Sequence, residues 1–381
     1  MRKFQITKYI NPSLVAVLSL LLLYGTIMVN SATAGSGLKR QLFGIAVGAV
    51  LLAFFWWFDY RKMKDWIMPL FLLDALLMLS PRIPGLGYTA KGASSWLALG
   101  GKIRLFQPSE PAKLVTIILL ACIMVAYKGK IHSLKDYLKI LALSFVPVIL
   151  ILTQPDLGTG LVFIAIALGM LIMAGAKARW IIATVVIGLS MAVGLVYLDT
   201  FLDNKLGHDV LLKAYQKNRL LVFMDQTLDP TGAGYNLKQS KIAIGSGETT
   251  GKGLGAGTQG NLNFLPERHT DFIFSVVGEE LGFAGALALL GLYLALLMVT
   301  LNIAVSSVDL FGTLIATGVM SMWVFQILEN IGMTIGLMPI TGIPLPFMSY
   351  GSSFMVTNMA CVGVLLSIWS HRAFQSETKG V

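Results

Sequence analysis

The chain has 381 residues, of which 56% are hydrophobic and only 13% are charged, and its mean hydropathy is +0.76. This balance excludes an ordinary soluble domain, because soluble domains carry about 25% charged residues. The formal net charge of +10 would suit a nucleic-acid-binding protein, but a basic cytoplasmic rim on a membrane protein accounts for about half of the cations without nucleic acid. We therefore predict a membrane protein with no nucleic-acid partner.

Ten apolar runs are long enough to cross a hydrocarbon core of about 30 Å, which takes roughly 20 helical residues. A spanning segment must satisfy its backbone internally, and no segment alternates as a barrel strand does. The sequence therefore predicts an all-α, polytopic integral membrane protein that forms a single membrane domain over 1–381. The predicted spans are 12–31, 41–58, 66–80, 111–127, 137–153, 157–175, 179–198, 272–302, 310–335 and 345–370.

The orientation follows from the short loops, because Lys and Arg are enriched on the cytoplasmic side. Basic residues precede the first span and follow the second, fourth and sixth spans, which places both termini in the cytoplasm. Lys39 and Arg40 fall on the opposite side and count against this orientation. The segments 81–110 and 199–270 then lie outside, the second as a large loop between helices 7 and 8.

Many further cations fall on or beside these two outer segments. They indicate either an anionic ligand at the outer face or a surface that faces solvent and lipid headgroups. The two cysteines, Cys122 and Cys361, lie inside predicted helices with no partner spacing, so they imply neither a disulfide framework nor a zinc site.

The segment 81–110 is rich in Gly and Pro, includes Trp96, and leads into the fourth span. Glu110 and Lys113 are spaced i, i+3 on one face of that span. They can form a local ion pair or take part in catalysis, and the two roles are compatible. Asp156, in a tight outer turn, is predicted to cap the sixth helix at the same outer depth.

The Gly-rich stretch 245–259 superficially resembles a phosphate-binding loop. The nucleotide-binding motif needs Gly six residues before its Lys and Ser or Thr after it, whereas Lys252 has Ser246 and Gly253 at those positions. We therefore predict no nucleotide. A hinge and a turn that binds a lipid pyrophosphate through its amides both remain open.

The stretch 259–282 concentrates charge where a polar loop meets an apolar run. It carries Glu267, Arg268 and Asp271, and Glu279 and Glu280 follow two helical turns later. Ionisable groups at a membrane helix are costly and indicate a functional site. The small and helix-breaking residues from Asn330 to Ser353, including Ser349, need protein or water around them, and we predict that they line the same outer cavity.

These residues together resemble the SEDS family (shape, elongation, division and sporulation), and most of all its RodA-type members. The resemblance covers nearly the whole chain, and the segment from Asn330 to Ser353 matches in spacing, with Ser352 where the family usually has a second Gly. The matching stretches are Gln107-Pro108-Ser109-Glu110 with Lys113, 154–158, 239–247 and 264–272.

The resemblance implies a glycosyltransferase that polymerises lipid II into a nascent glycan strand at the outer face of the bacterial plasma membrane. Such proteins act in cell-wall elongation with a class B penicillin-binding protein, which supplies cross-linking, and with the elongation machinery. The essential acid of the family carries over to Asp271, and its outer Glu and Lys carry over to Glu110 and Lys113.

The chemistry of glycan extension agrees with these residue types. A sugar hydroxyl attacks an anomeric carbon whose leaving group is a lipid pyrophosphate; a carboxylate accepts the proton and cations stabilise the departing charge. Asp271 is the predicted base, and a divalent cation, Mg²⁺ or Mn²⁺, would suit its oxygens and those of the phosphates. One base without a second nucleophile predicts single displacement with inversion. The candidate substrate-binding residues are Glu110, Lys113, Trp96, Arg219, Arg268, Glu267, Asp156 and Ser349.

A rival interpretation is a transporter that moves the lipid-linked precursor across the bilayer. A transporter predicts carboxylates spread along a path, such as Asp74, Glu279, Glu280 and Glu329, whereas an enzyme predicts them gathered at one outer level. The gathering of acids at the outer ends favours the enzyme. A non-catalytic scaffold for a single-span partner is a third interpretation, against which the outer charge argues.

Overall fold

The computed structural model describes residues 9–378 apart from 84–86, 91–92, 100–102, 153, 155, 207–213, 226–228, 230–231 and 263. Within these residues, ten long helices lie where the apolar runs predict them, and between the seventh and eighth of them lie two shorter helices and the single helical turn Thr258–Asn261. The helices are α1 Pro12–Ala32, α2 Leu38–Trp57, α3 Ile67–Leu79, α4 Ser109–Val125, α5 Leu134–Leu152, α6 Leu157–Met173, α7 Ala178–Leu206, α8 Ala214–Met224, α9 Ala233–Ser246, α10 Ile273–Val305, α11 Leu310–Ile335 and α12 Ser352–Thr378.

Six helices within the described ranges are long and apolar enough to cross a membrane: α1, α2, α7, α10, α11 and α12. The other four long helices, α3 to α6, are shorter or carry more charge at one end. The predicted fold class, a polytopic helical membrane protein, is confirmed. Only α12 begins clearly later than predicted, at Ser352 instead of 345, because Pro346 and the positive φ of Phe347 (63°) belong to a turn.

Helices α2 and α12 pack closely because two glycines of α2 face α12. A Cβ atom on Gly44 would lie 3.2 Å from the Cα of Ser352, and a Cβ on Gly48 would lie 2.8 Å from a side-chain carbon of Met359. Small residues at a membrane helix interface let the two backbones approach. This contact places the start of α2, with Arg40, beside the start of α12.

Helix α7 contacts the bundle at its start, where the Tyr137 hydroxyl of α5 lies 2.6 Å from the Thr184 hydroxyl, and its middle is exposed. None of its most apolar 18-residue window is buried, although the mean hydropathy of that window is 2.4. Its outer end is tied instead to α8, through a buried ion pair between Asp199 and Lys217 with an N–O distance of 3.2 Å. The apolar surface of α7 therefore faces lipid, and α8 follows the end of α7.

Helix α10 is broken at Gly282, whose φ of 63° and ψ of −161° are not helical. A Cβ atom there would lie 2.4 Å from the backbone nitrogen of Gly251, so only glycine fits against the 247–251 backbone. The Gly-rich stretch docks at this break.

Two acids of α10 hold the Gly-rich stretch in place. The Glu279 carboxylate accepts bonds from Lys252 Nζ (2.7 Å) and from the Thr258 amide (2.7 Å). Glu280 accepts from the Gly255 amide (3.1 Å) and from the Ser31 hydroxyl (2.6 Å). These contacts use amides that a phosphate would need, and they fix the stretch to α10, which argues against both a pyrophosphate-binding turn and a hinge.

The segment 81–110 contains an antiparallel sheet that the sequence does not predict. Its strands are β1 Gly87–Ala90, β2 Ala93–Leu99 and β3 Ile103–Phe106, in the order β1-β2-β3. Trp96 pairs with Tyr88, and Leu97 pairs with Phe106. The backbone N–H of Gln107, just after β3, donates to the Ser353 hydroxyl at 3.1 Å. This bond joins the sheet to the start of α12.

Candidate active site

A cavity of about 430 Å³ opens at the end of the bundle that carries the sheet. It brings together residues from both long loops, from the starts of α2, α4, α6 and α12, and from the turn after α11. Six predicted site residues line it: Trp96, Glu110, Lys113, Asp156, Glu267 and Asp271. The acids that we expected at one outer level therefore share one cavity.

The backbone around Asp271 is clamped to the turn between α11 and α12. The Asn330 amide group donates to the carbonyls of Asp271 (2.8 Å) and Ile343 (2.7 Å). The Ser349 hydroxyl donates to the Thr270 carbonyl (2.7 Å). Side chains locked by such bonds hold a reactive group in one geometry.

Gly342 allows that turn to lie against the Asp271 carboxylate. Its φ is +80°, and a Cβ atom there would lie 3.0 Å from Asp271 Oδ2 and 3.8 Å from a guanidinium nitrogen of Arg219. Any side chain at this position would be strained and would push into the carboxylate. Asp271 and Arg219 therefore lie close together, and both are next to Gly342.

On another wall of the cavity, Glu110 and Lys113 form an ion pair. Lys113 Nζ lies 2.9 Å from both carboxylate oxygens of Glu110, and both residues are buried. The ammonium group is also 5.5 Å from the centre of the Phe354 ring, a cation–π distance. The predicted ion pair is confirmed, and it lines the cavity as the catalytic alternative requires.

Asp156 and Glu267 line the cavity while they also cap local structure. The Asp156 carboxylate accepts bonds from the amide (3.0 Å) and the hydroxyl (2.8 Å) of Thr159, so it caps α6 as predicted. The Glu267 carboxylate accepts from the Thr270 hydroxyl at 3.2 Å. Each acid therefore has a structural bond and still lines the cavity.

Three predicted substrate-binding residues lie outside the cavity lining. Arg268 donates from Nε to the Ala32 carbonyl (2.7 Å) and lines an adjoining pocket of about 300 Å³, which shares His269 and Tyr350 with the cavity. Ser349 is fully buried, and its hydroxyl donates a hydrogen bond to the Thr270 carbonyl. Arg219 donates to the Thr341 carbonyl (2.8 Å), behind the Gly342 turn.

Tyr350 lines the cavity, as predicted for the segment from Asn330 to Ser353, and Arg40, Gln107 and His269 line it although the sequence did not single them out as substrate-binding residues. The Arg40 guanidinium lies 5.8 Å from the centre of the Tyr350 ring, and His269 meets the same ring edge-on at 5.4 Å. Burial lowers the pKa of His269, and Arg268 lowers it further, against the opposing effect of Glu267. The sequence did contain a signal that Arg40 is functional, because Arg40 is one of the two cations that the orientation rule does not explain.

Oxygen atoms of the cavity would suit a divalent cation only in part. Among the described residues, there is no group of three or more His, Cys, Asp or Glu side chains arranged to hold a metal. Mg²⁺, however, is often bound by one or two carboxylates together with substrate phosphates and water. Asp271 therefore fits as a ligand to a cation that arrives with a diphosphate.

Comparisons with known proteins agree along almost the whole chain. The model of the cell cycle protein family FTSW_RODA_SPOVE matches residues 6–373. The peptidoglycan glycosyltransferase MrdB of Escherichia coli (strain K12) is 38% identical over 372 residues, which are 97% of this chain and 96% of MrdB.

Solved structures show the same fold. A chain of a peptidoglycan synthase complex, in which polymerization and crosslinking are coordinated, has a TM-score of 0.76 and 30% identity, and the match covers 94% of this chain and 97% of that chain. The rod shape determining protein RodA of Thermus thermophilus has a TM-score of 0.68 and 26% identity, with 94% and 96% covered. This chain therefore belongs to the FtsW/RodA/SpoVE family of cell cycle proteins.

Proposed function

We propose that this protein is a peptidoglycan glycosyltransferase that polymerises lipid II into glycan strands at the outer face of the bacterial plasma membrane, during cell-wall elongation. The observation that carries the proposal is the cavity in which Asp271 is fixed by Asn330 and faces a wall formed by Glu110 and Lys113. The relative MrdB is named for the same activity.

The cavity supports a single displacement. Asp271 accepts the proton of the attacking sugar hydroxyl as the new bond forms between its oxygen and the anomeric carbon. The bond from that carbon to the pyrophosphate oxygen breaks, and the lipid pyrophosphate leaves with the electron pair. Lys113 and Arg40 lie in the cavity lining, where their charge can stabilise the leaving group. Direct attack by the sugar hydroxyl, with no covalent intermediate on the protein, gives inversion at the anomeric carbon.

Arg219 and Arg268 have different places in this scheme. Arg219 supports the turn that carries Gly342, so it acts on the position of Asp271. Arg268 lines the adjoining pocket, which shares His269 and Tyr350 with the cavity, so its contact with the pyrophosphate stays a prediction. A divalent cation bound by Asp271 and the diphosphate would neutralise developing charge; chelation with EDTA should then lower the rate, and added Mg²⁺ or Mn²⁺ should restore it.

The intramembrane acids favour an enzyme over a transporter. Asp74 accepts a bond from the Thr116 hydroxyl (2.9 Å), while Glu279 and Glu280 hold the Gly-rich stretch. These three acids have local structural partners in different parts of the bundle. Of the four acids that a transport path would use, only Glu329 lies next to the cavity residues.

The proposed partners follow from the same relatives. The similar chain of the peptidoglycan synthase complex works beside a crosslinking activity, which fits a class B penicillin-binding protein with transpeptidase activity for this chain as well. We place both termini in the cytoplasm, since the cavity must face the side where glycan strands are built and the basic short loops lie at the opposite end.

The purified protein with its transpeptidase partner, given fluorescent lipid II in detergent, tests this function. Asp271→Asn should lower the rate of glycan formation at least about 100-fold, because a positioned general base contributes about that much. Glu248→Gln removes an exposed acid outside the cavity and should leave the rate unchanged. Full activity in Asp271→Asn would refute the base; no glycan from the unmodified protein, with headgroup transfer in liposomes, would support a transporter.

A further inference from the structure

Two loops at the end of the bundle opposite the cavity pack against each other. One loop follows α4 and the other follows α6, and both of these helices begin at the cavity. Gly175 lies so close to the first loop that a Cβ atom there would overlap the Gly129 carbonyl oxygen and lie 3.4 Å from the Cα atom of Lys130. This contact brings the basic residues of the two loops onto one surface.

The starts of α5 and α7 extend this surface. The Tyr137 ring lies 5.5 Å from the Trp180 ring, and the Tyr137 hydroxyl lies 2.6 Å from the Thr184 hydroxyl. Lys177 Nζ and the guanidinium carbon of Arg179 are 5.2 Å and 5.7 Å from the centre of the Trp180 ring, which are cation–π distances. Two cations of the second loop are therefore held beside an aromatic side chain that is typical of a membrane interface.

Six exposed cations and one acid, Asp136, form a basic patch on this surface. The cations are Lys128, Lys130, Lys135, Lys139, Lys177 and Arg179, which together with Asp136 give the patch a net charge of +5. Within the part of the chain that the structure describes, none of these six cations forms an ion pair.

A second basic turn at the same end of the bundle differs from the basic patch. The turn between α2 and α3 carries Arg61, Lys62 and Lys64, but Asp59 and Asp65 reduce its net charge to +1. Arg61 also pairs with Asp59 at 3.0 Å. Both groups follow the same orientation rule, yet only the basic patch keeps most of its charge unneutralised.

Exposed apolar side chains adjoin the basic patch. Leu134 and Leu138 of α5 are 50% and 51% exposed, and Ile182 of α7 is 61% exposed. A ligand at this surface can therefore place an anionic group among the cations and hydrocarbon against the two helices. An anionic phospholipid has both parts, whereas a soluble anion has only the first.

We propose that the basic patch binds the headgroup of an anionic phospholipid, whose acyl chains lie along the exposed starts of α5 and α7. Clusters of Lys and Arg beside membrane helices attract anionic headgroups, and the ring of Trp180 suits the headgroup level. The site lies at the opposite end of the bundle from the cavity. It goes beyond the proposed function and takes no part in the transfer reaction.

Tryptophan fluorescence of the purified full-length protein in a neutral detergent tests this site. Brominated phosphatidylglycerol, which is anionic, should quench the fluorescence at a lower concentration than brominated phosphatidylethanolamine, which has no net charge. Replacing three cations together, with Lys130→Gln, Lys177→Gln and Arg179→Gln, should lower this preference at least about tenfold, because each cation near the surface adds to the attraction of anionic lipid. Trp180→Phe should remove the larger part of the preferential quenching, because its ring lies at the proposed headgroup.

The matched control removes the same residue types from the second basic turn. Arg61→Gln, Lys62→Gln and Lys64→Gln together should leave the preference unchanged, as should the charge-conserving set Lys130→Arg, Lys177→Arg and Arg179→Lys. Thermal unfolding shows that each variant is folded.

Three results would overturn the proposal. The first is an equal loss of preference in the two glutamine variants, and the second is the absence of any preference in the unmodified protein. The third is competition as effective as that of the lipid by glycerophosphoglycerol, which is the headgroup without acyl chains, or by polyglutamate, an acidic polypeptide.

Discussion

At the scale of single residues, Glu110 and Lys113 form a buried ion pair in the wall of the cavity. Both side chains are almost fully buried, at 5% and 2% exposed, and each is the main partner of the other at 2.9 Å. Taking two charges out of water costs several kcal/mol, which their attraction offsets only while both are present. The pair therefore affects stability and chemistry in separable ways.

Removing one partner of this pair should destabilise the protein more than removing both. Glu110→Gln or Lys113→Met leaves an uncompensated buried charge and should lower the free energy of unfolding by about 3–5 kcal/mol. The double variant should recover a large part of that loss in thermal unfolding, yet it should remain inactive with lipid II. Losses that simply add in the double variant would contradict this account.

The pH dependence of stability should show the contribution of His269. Burial lowers its pKa in the folded protein, whereas the unfolded chain has the ordinary value of about 6.5. The unfolded state therefore binds the proton first, so stability is complete above that value and decreases as the pH falls through it toward the folded pKa.

Thermal unfolding between pH 7.5 and pH 5 measures this effect. The His269→Gln variant should lose less stability over that range than the unmodified protein, while His132→Gln, at an exposed position, should behave like the unmodified protein. Identical slopes in all three proteins would contradict the role of His269.

At the scale of elements, the long helices could be predicted and the small sheet could not. Runs of about 20 apolar residues have few alternatives in a membrane, whereas a strand of four residues, such as Ile103–Phe106, leaves little pattern. The sequence was enough to predict that Glu110, Asp156 and Asp271 lie near each other, because all three lie at helix ends. The sequence does not show that the Ser349 hydroxyl donates to a backbone carbonyl, since a buried polar side chain and a cavity-lining one look alike in sequence.

The break in α10 and the Gly-rich stretch form one structural unit that Glu279 holds together. Glu279→Gln removes the charge that attracts Lys252 and weakens the bonds to Thr258, so 252–259 should open more readily by about 1–3 kcal/mol. Hydrogen exchange should become faster there and stay unchanged in α11. Glu248→Gln, in the same stretch but exposed, is the matched control; equal exchange in both variants would contradict the role of Glu279.

At the scale of the whole molecule, the cavity and the basic short loops lie at opposite ends of the bundle. Arg40, once an exception to the orientation rule, lines the cavity, so its charge has a local explanation. The remaining basic loops still predict a cytoplasmic location for both termini, with Lys39 as the remaining exception.

Cysteine labelling in intact cells tests this orientation. A membrane-impermeant reagent should modify Ser36→Cys, which is exposed near the cavity, and should reach Lys64→Cys only after permeabilisation. The native Cys122 and Cys361 are buried and should not contribute. The reverse labelling pattern would place the cavity on the cytoplasmic side and contradict the proposed function.

The exposed apolar middle of α7 makes the helix sensitive to the bilayer around it. A helix whose apolar surface touches mainly lipid takes its tilt from the thickness of the hydrocarbon layer. Asp199 ties its outer end to Lys217, and Arg219, on the same short helix, reaches the carbonyl beside the Asp271 turn. A change in membrane thickness should therefore shift the candidate active site through Asp199, Lys217 and Arg219, with no ligand involved.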